Sequence, residues 1–171
     1  MVGHSANYWN HHIDILNDLA KYRYENIRIY IPLSTGADKK YAIKVKNYAK
    51  KLFGEKAICI FKKLPLKNYL RFLWAMDIAV FKLDRQAALG NLMNLFYMGK
   101  KVYLPSETVM YDFFASQEVE IHDTKLIETM SFSEFSSIDK NASSLKYITE
   151  RTDSQIIVNK WRHIFDTIDK S

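Results

Sequence analysis

The sequence contains little cysteine, glycine or proline, the residues that cross-link many folds or interrupt their helices and strands. Among 171 residues there are one cysteine, five glycines and three prolines. A single cysteine, Cys59, excludes an internal disulfide and fits a reducing cytoplasm. Because Cys59 lies in an apolar run, we expect it to be buried and unreactive. No apolar run reaches the roughly 18 to 20 residues that a membrane-spanning helix needs, so any membrane contact is predicted to be peripheral.

Several motifs that identify a chemistry are also missing. Without GxxxxGK[ST] or GxGxxG, the common nucleotide-hydrolysing and dinucleotide-binding classes lose their main support. Without CxxC, HExxH or GxSxG, the thiol-redox, zinc-protease and serine-hydrolase classes do too. His4, His11 and His12 lie close in sequence, but adjacent helical histidines point in different directions and no acidic or cysteine cluster completes a ligand set. The sequence predicts no metal site.

Charge is moderate and positive. The net charge is +6, and 26% of residues are charged, which favours an anionic partner without choosing between nucleotides, nucleic acid and acidic lipid. Six lysines within residues 39–51 flank an apolar helical stripe, a pattern typical of a solvated helix face. Since the aromatic residues fall at the spacing of a core, nucleic-acid binding is not predicted.

The hydrophobic period switches repeatedly between two and 3.6, which predicts alternating strands and helices. We therefore expect one α/β domain over residues 1–171, with a Rossmann-like, doubly wound, mostly parallel sheet. A polar stretch over residues 139–145 is a loop or helix start. The predicted strands are residues 26–32, 57–61, 78–81, 101–104 and 118–121; the amphipathic helices cover residues 9–20, 41–52, 66–73, 92–96 and 156–168, and Gly54 and Gly99 are expected to stop two of them in a left-handed conformation.

The loop after the predicted strand 78–81 is the most informative segment. Arg85 and Gln86 precede small residues and Gly90, which open a helix together with Asn91. Free N–H groups at a helix N-terminus bind phosphate oxygens, and a nearby guanidinium adds a charge-assisted partner. Glycine lets the ligand approach the main chain. This loop is predicted to bind an anion.

Two further loops follow strand ends and are expected on the same edge of the sheet. The first is residues 3–7, whose structural alternative is an ordinary capped helix start. The second is residues 62–65, whose alternative is an exposed turn. Together the three loops would offer amides, a hydroxyl, ammonium and guanidinium groups to a diphosphate, which suits a nucleotide-sugar. Val2 and Gly3 resemble the end of a strand, so we expect a further domain upstream of Met1.

Three segments carry a resemblance to a known family: residues 3–12, the pairs Lys63-Leu64 and Tyr69-Leu70, and residues 81–99. They resemble the C-terminal domain of glycosyltransferase family 56, over roughly the first 115 residues. Ala88 stands where the family pattern has glycine. The glycine, serine, asparagine and histidine of the family's opening loop fall on Gly3, Ser5, Asn10 and His12, and its later Arg-Gln and glycine fall on Arg85, Gln86 and Gly90.

The resemblance implies an activity and an architecture. The family includes the transferase that moves 4-acetamido-4,6-dideoxygalactose from its dTDP carrier to a lipid-linked intermediate of enterobacterial common antigen, and its members are often labelled 4-alpha-L-fucosyltransferase. It implies a GT-B enzyme of two Rossmann-like domains, in which this chain is the donor-binding C-terminal half and the acceptor domain precedes Met1. Such enzymes generally use no metal or cofactor, and a catalytic base would lie in the other half, leaving this piece inactive alone. Peripheral contact with the inner membrane is expected for a lipid-linked acceptor.

The resemblance also assigns roles to residues. Arg85 and the amides near Gly90 and Asn91 would neutralise the departing diphosphate, while the first loop approaches it and the second flanks the base or ribose. The implied donor-binding residues are Gly3, His4, Ser5, Asn10, Lys63, Leu64, Arg85, Gln86, Gly90 and Asn91.

Two other readings of the residues stay open. One is a GT-B-like enzyme with a different sugar nucleotide, including an epimerase. The other is a non-catalytic module that binds a phosphorylated ligand, or a receiver-like signalling domain. A receiver needs clustered acids at strand ends, whereas Asp77 begins a strand and Asp84 stands alone.

Overall fold

The fold is taken from a computed structural model that describes residues 1–36, 38–138, 148–151 and 153–168, without the side chains of residues 164, 167 and 168. The polar stretch 139–145 lies outside these residues. The strands are β1 Ile29–Pro32, β2 Ala57–Ile60, β3 Ile78–Val80, β4 Lys101–Leu104 and β5 His122–Asp123. The helices are α1 His12–Leu19, α2 Lys39–Phe53, α3 Leu66–Trp74, α4 Leu89–Tyr97, α5 Val109–Ala115, α6 Phe132–Ser136 and α7 Ser154–Ile168.

The N-terminal segment, residues 1–3, joins two groups of strands into one sheet. β1 pairs with β2, and β4 lies between β3 and β5, all in parallel. Val2 forms a parallel bridge with Val80 and donates its N–H to Tyr30 O at 2.9 Å, while Gly3 N donates to Val80 O at 3.0 Å. With the N-terminal segment counted as the first strand, the order is 3-2-1-4-5-6, which is that of a Rossmann fold.

Both faces of this sheet are covered, because side chains alternate along each strand. Val80 and Tyr103 belong to a buried cluster with α1 and α2. Their neighbours Ala79 and Val102 belong to a second cluster, with α3, α4 and α5. The predicted parallel α/β arrangement, with helices on two faces, is confirmed.

The helix ends follow local chemistry. Asp38 starts α2, since its carboxylate accepts a hydrogen bond from Tyr41 N at 2.8 Å and so satisfies a free amide. Gly99 stops α4 with φ +64°, as predicted. Gly54 follows α2 with φ +55° but ψ −131°, so its conformation is open only to glycine yet is not the left-handed helical one.

The prediction of a strand over residues 118–121 is wrong. Glu118 adopts φ +58° at the end of α5, and Val119 N donates to Phe114 O at 3.1 Å. Val119 is buried as part of this helix stop. The strand itself, β5, begins only at His122. An apolar alternation that looks like a strand here serves to close a helix.

Candidate functional site

The candidate site lies where the N-terminal segment and β3 end side by side. The chain order of the strands reverses at this point, and in open α/β sheets such a switch point leaves a crevice at the carboxyl ends of the strands. Residues 4–11 leave the N-terminal segment on one side, and residues 81–88 leave β3 on the other. Two of the three predicted loops therefore meet here.

The first loop is built around a buried amide. Asn10 is fully buried; its Oδ1 accepts from His4 N at 3.1 Å, and its Nδ2 donates to Ser5 Oγ at 3.1 Å. Asn7 Nδ2 donates to the same hydroxyl at 3.0 Å. Ser5 and Asn10, both predicted as donor-binding residues, thus fix the shape of the loop from inside it.

Gly3 has to be glycine at this position. Its φ is +61°, and a Cβ added there would run into the His12 ring and come within 3.2 Å of Asn10 Oδ1. His12 is fully buried and cannot swing aside easily, because its Nδ1 lies 3.1 Å from the Tyr41 hydroxyl. Burial, with smaller contributions from His4 and His11, lowers the pKa of His12 to about 3, so the ring is neutral at physiological pH.

His4, in the first loop, interacts electrostatically with Arg85. Burial lowers the pKa of His4; a hydrogen bond with Asn10 opposes this change, and the charge of Arg85 adds to it. Among the described residues, the buried Nδ1 of His4 has no hydrogen-bond partner, and its Nε2 lies 3.4 Å from Ser5 Oγ. His4 is therefore a neutral, half-buried group beside a fixed cation.

The Arg85 loop, residues 81–88, is held by residues that were not among the predicted site residues. The Arg85 guanidinium lies 3.9 Å from the centre of the Trp9 ring, within the range of a cation–π interaction. Asp84 N donates to Trp9 O at 3.4 Å, and the Asp84 carboxylate lies 2.6 Å from His11 Nε2. Trp9 and His11 flank Asn10 in the sequence, and Asp84 directly precedes Arg85, but no motif predicted the contacts between them.

The N-terminus of α4 is open. Its N-cap, Ala88, has φ +61°, provides no side-chain cap, and is followed by no acidic residue in the first turn. Glycine adopts this left-handed conformation without strain, which agrees with the glycine that the family resemblance leads us to expect at this position. Gly90 is exposed, and no atom of the described residues lies within 4 Å of an added Cβ. Asn91 Oδ1 accepts from the Tyr69 hydroxyl at 3.0 Å, which ties α4 to α3.

A cavity of about 620 Å³ extends from Arg85 and Gln86 towards the start of α5. Leu89, Met93 and Phe113 contribute apolar walls, and Thr108 and Arg151 contribute polar groups. The Arg151 guanidinium lies 5.4 Å from the centre of the Phe113 ring. Sequence reasoning missed the α5 side of this cavity because nothing in residues 107–113 resembles a motif.

The predicted loop over residues 62–65 stands apart from the other two. Lys63 is exposed and Leu64 is half-buried after β2, which β1 separates from the N-terminal segment. Within the described part of the chain, no hydrogen bond or ion pair joins Lys63 or Leu64 to Gly3 or Arg85. The link is indirect, through Tyr69 of α3, which contacts Asn91.

A second cavity, of about 560 Å³, lies at the opposite ends of the strands. It is lined by the starts of β1 and β3 and by residues of α6. It contains none of the predicted site residues and does not reach the N-terminus of α4. We therefore place the candidate site at the switch point.

A family model described as 4-alpha-L-fucosyltransferase, glycosyl transferase group 56, matches residues 1–147. The chain belongs to this glycosyltransferase family. The match spans both loops of the switch point as well as α4 and α5, and it confirms the family resemblance. No solved structure matches the chain. Among the described residues, no helix is long and apolar enough to cross a membrane, and no group of three or more His, Cys, Asp or Glu side chains is placed to hold a metal.

Proposed function

We propose that this chain is the donor-binding domain of a GT-B glycosyltransferase, and that its donor is a dTDP-linked 4-acetamido-4,6-dideoxygalactose. The supporting observation is the meeting of a guanidinium, an uncapped helix N-terminus and a glycine-led loop at the switch point of a Rossmann-ordered sheet. These groups supply the hydrogen-bond donors and positive charges that bind a diphosphate.

In the proposed reaction, the bond between the sugar's anomeric carbon and the diphosphate oxygen breaks, and its electron pair leaves with dTDP. The hydroxyl of a lipid-linked saccharide forms the new glycosidic bond, and its proton passes to a base outside this chain. Arg85 and the amides of Leu89, Gly90 and Asn91 would stabilise the charge that develops on the leaving diphosphate. No metal or further cofactor is part of the proposal.

The cavity beside α4 would hold the nucleoside. Its volume of about 620 Å³ is in the range of small-molecule sites, and it opens directly from the N-terminus of α4, where the diphosphate would bind. Phe113, which is 40% exposed, offers a ring face for a base to stack on. Lys63 and Leu64 would then lie at the outer rim of the crevice.

In the proposed enzyme, the acceptor saccharide binds to a domain other than this one. A second Rossmann-like domain upstream of Met1 would bind the lipid-linked saccharide and close over the crevice. A cytoplasmic location with peripheral contact to the inner membrane would bring the two substrates together. In this arrangement the present chain binds the donor but does not complete a transfer by itself.

The test is calorimetric titration of the protein with dTDP, UDP and GDP. Arg85→Ala removes a charge-assisted hydrogen-bond donor and should weaken dTDP binding about tenfold or more. Arg23→Ala is the matched control, because Arg23 also stacks on an aromatic ring, 4.7 Å from the centre of Tyr24, but lies before β1, at the opposite end of the strands. Equal dTDP affinity for the wild type and Arg85→Ala would refute the site.

A second variant separates the two halves of the donor. Phe113→Ala should weaken dTDP binding by roughly tenfold, the loss expected for one base–aromatic stack, while leaving the binding of inorganic pyrophosphate unchanged. If both ligands are weakened equally, Phe113 does not contact the base and the nucleoside assignment is wrong.

A further inference from the structure

His11 connects two segments that are distant in sequence. Its Nδ1 lies 3.0 Å from Asp14 Oδ2, on the first turn of α1, and its Nε2 lies 2.6 Å from Asp84 Oδ2, just after β3. The His11 backbone adopts φ +47°, a conformation that histidine tolerates better than most residues. Both ring nitrogens therefore face carboxylates.

Asp84 places a carboxylate beside the proposed anion site. It directly precedes Arg85, and its carboxylate is 58% exposed. A free carboxylate here would repel a diphosphate and could compete for the neighbouring guanidinium. With Asp84 held by His11, Arg85 lies instead against Trp9, at 3.9 Å from the ring centre. The same turn of chain, residues 8–11, thus holds both members of the Asp84-Arg85 pair.

We propose that His11 is a positioning residue for donor binding: by bridging Asp14 and Asp84 it neutralises the carboxylate beside the anion site and keeps Arg85 directed at the donor's diphosphate. This role rests on the proposed function, since it takes Arg85 as a diphosphate ligand. His11 itself touches no reacting atom.

The charges around His11 make the role dependent on pH. Burial lowers its pKa, but the hydrogen bonds and negative charges of Asp84 and Asp14 outweigh burial, so the pKa lies above 6.5. The neighbouring His12 is neutral, and Arg85 is the other charge of the loop. When His11 is protonated, the formal charges of His11, Asp14, Asp84 and Arg85 sum to zero. Loss of its proton leaves one net negative charge next to the diphosphate.

The first measurement needs no ligand. Nitrogen-detected NMR titration of the imidazoles and of the Arg85 Nε–H should give a His11 midpoint above 6.5, and the Arg85 signal should shift with the same midpoint. In Asp84→Asn the His11 midpoint should fall and the Arg85 shift should disappear. A His11 midpoint at or below 6.5, or an Arg85 signal that does not follow it, would overturn the positioning role.

The second measurement is the affinity for dTDP between pH 6 and 9. Wild-type affinity should fall about three- to tenfold as His11 loses its proton, the size expected for one unit charge near a partly exposed anion site. His11→Asn, which suits the left-handed backbone, should lack this fall and bind as the wild type does at high pH. The ionisation of the diphosphate is common to all variants and cancels in the ratio.

His163→Asn on α7 is the matched control and should behave as the wild type. A pH profile that is identical for the wild type and His11→Asn would overturn the positioning role. If the NMR titration shows that His11 is coupled to Arg85 but dTDP does not bind at any pH, the proposed function is refuted. The positioning of Arg85 by His11 would still be confirmed.

Discussion

Gly3→Ala tests how tightly the first loop is built. Two costs can be worked from the structure. The φ of +61° costs an alanine roughly 1 to 2 kcal/mol. The new methyl group must also displace the His12 ring, which is fully buried and lies 3.1 Å from the Tyr41 hydroxyl, and such overpacking costs about 1 to 3 kcal/mol. The free energy of unfolding should therefore fall by roughly 2 to 5 kcal/mol.

Urea unfolding followed by circular dichroism measures this change, and two other glycines separate its parts. Gly99 has φ +64°, but no atom in the described part of the chain lies within 4 Å of an added Cβ, so Gly99→Ala should show only the backbone cost of about 1 to 2 kcal/mol. Gly90 lies inside α4 with open space around it, so Gly90→Ala should be neutral or stabilise by up to about 1 kcal/mol. If Gly3→Ala costs no more than Gly99→Ala, the contact between Gly3 and His12 is not as described.

Three further predictions follow from single groups. The pKa of His12 is lowered to about 3 from an unfolded value near 6.5, so below pH 6.5 the unfolded state binds a proton that the folded state does not. The free energy of unfolding should therefore fall by about 2 kcal/mol between pH 7 and 5. Urea unfolding at both pH values checks this. Burial raises the pKa of Cys59, against smaller opposing effects of Lys50 and Lys46, so a thiol reagent at pH 7.5 should label Cys59 more slowly in the folded protein than in urea; equal rates would contradict it. Asp38→Ala removes the cap of α2 and should cost about 1 kcal/mol, whereas Asp38→Asn, which keeps the acceptor, should cost less by the same urea assay.

Much of the fold could be predicted because the strands are short, apolar and separated by amphipathic helices. β2, β3 and β4 lie within the predicted runs 57–61, 78–81 and 101–104. The run 118–121 failed since Val119 and Ile121 alternate as in a strand, while the hydrogen bond from Val119 to Phe114 closes α5 instead. Local sequence cannot choose between these uses of the same pattern, because the choice depends on how the end of α5 packs.

The candidate site was predictable to a different degree. The meeting of the Gly3 and Arg85 loops follows from parallel strands, whose carboxyl ends share one edge. The partners Trp9 and His11 did not follow, because their contacts with residues 84–85 depend on a loop conformation with a left-handed His11. The cavity wall at Phe113 depends on the angle at which α5 leaves β4, and no residue pattern encodes that angle.

The position of the N-terminal segment has a consequence for how the protein is made. Residues 1–3 are synthesised before β3, yet their hydrogen-bond partners include Ile78, 77 positions along the chain, and Val80. The seam between the two halves of the sheet therefore cannot close until β3 has emerged from the ribosome. Contacts of such long range slow folding, so the Gly3 loop is expected to be among the last parts of the molecule to acquire its shape during synthesis.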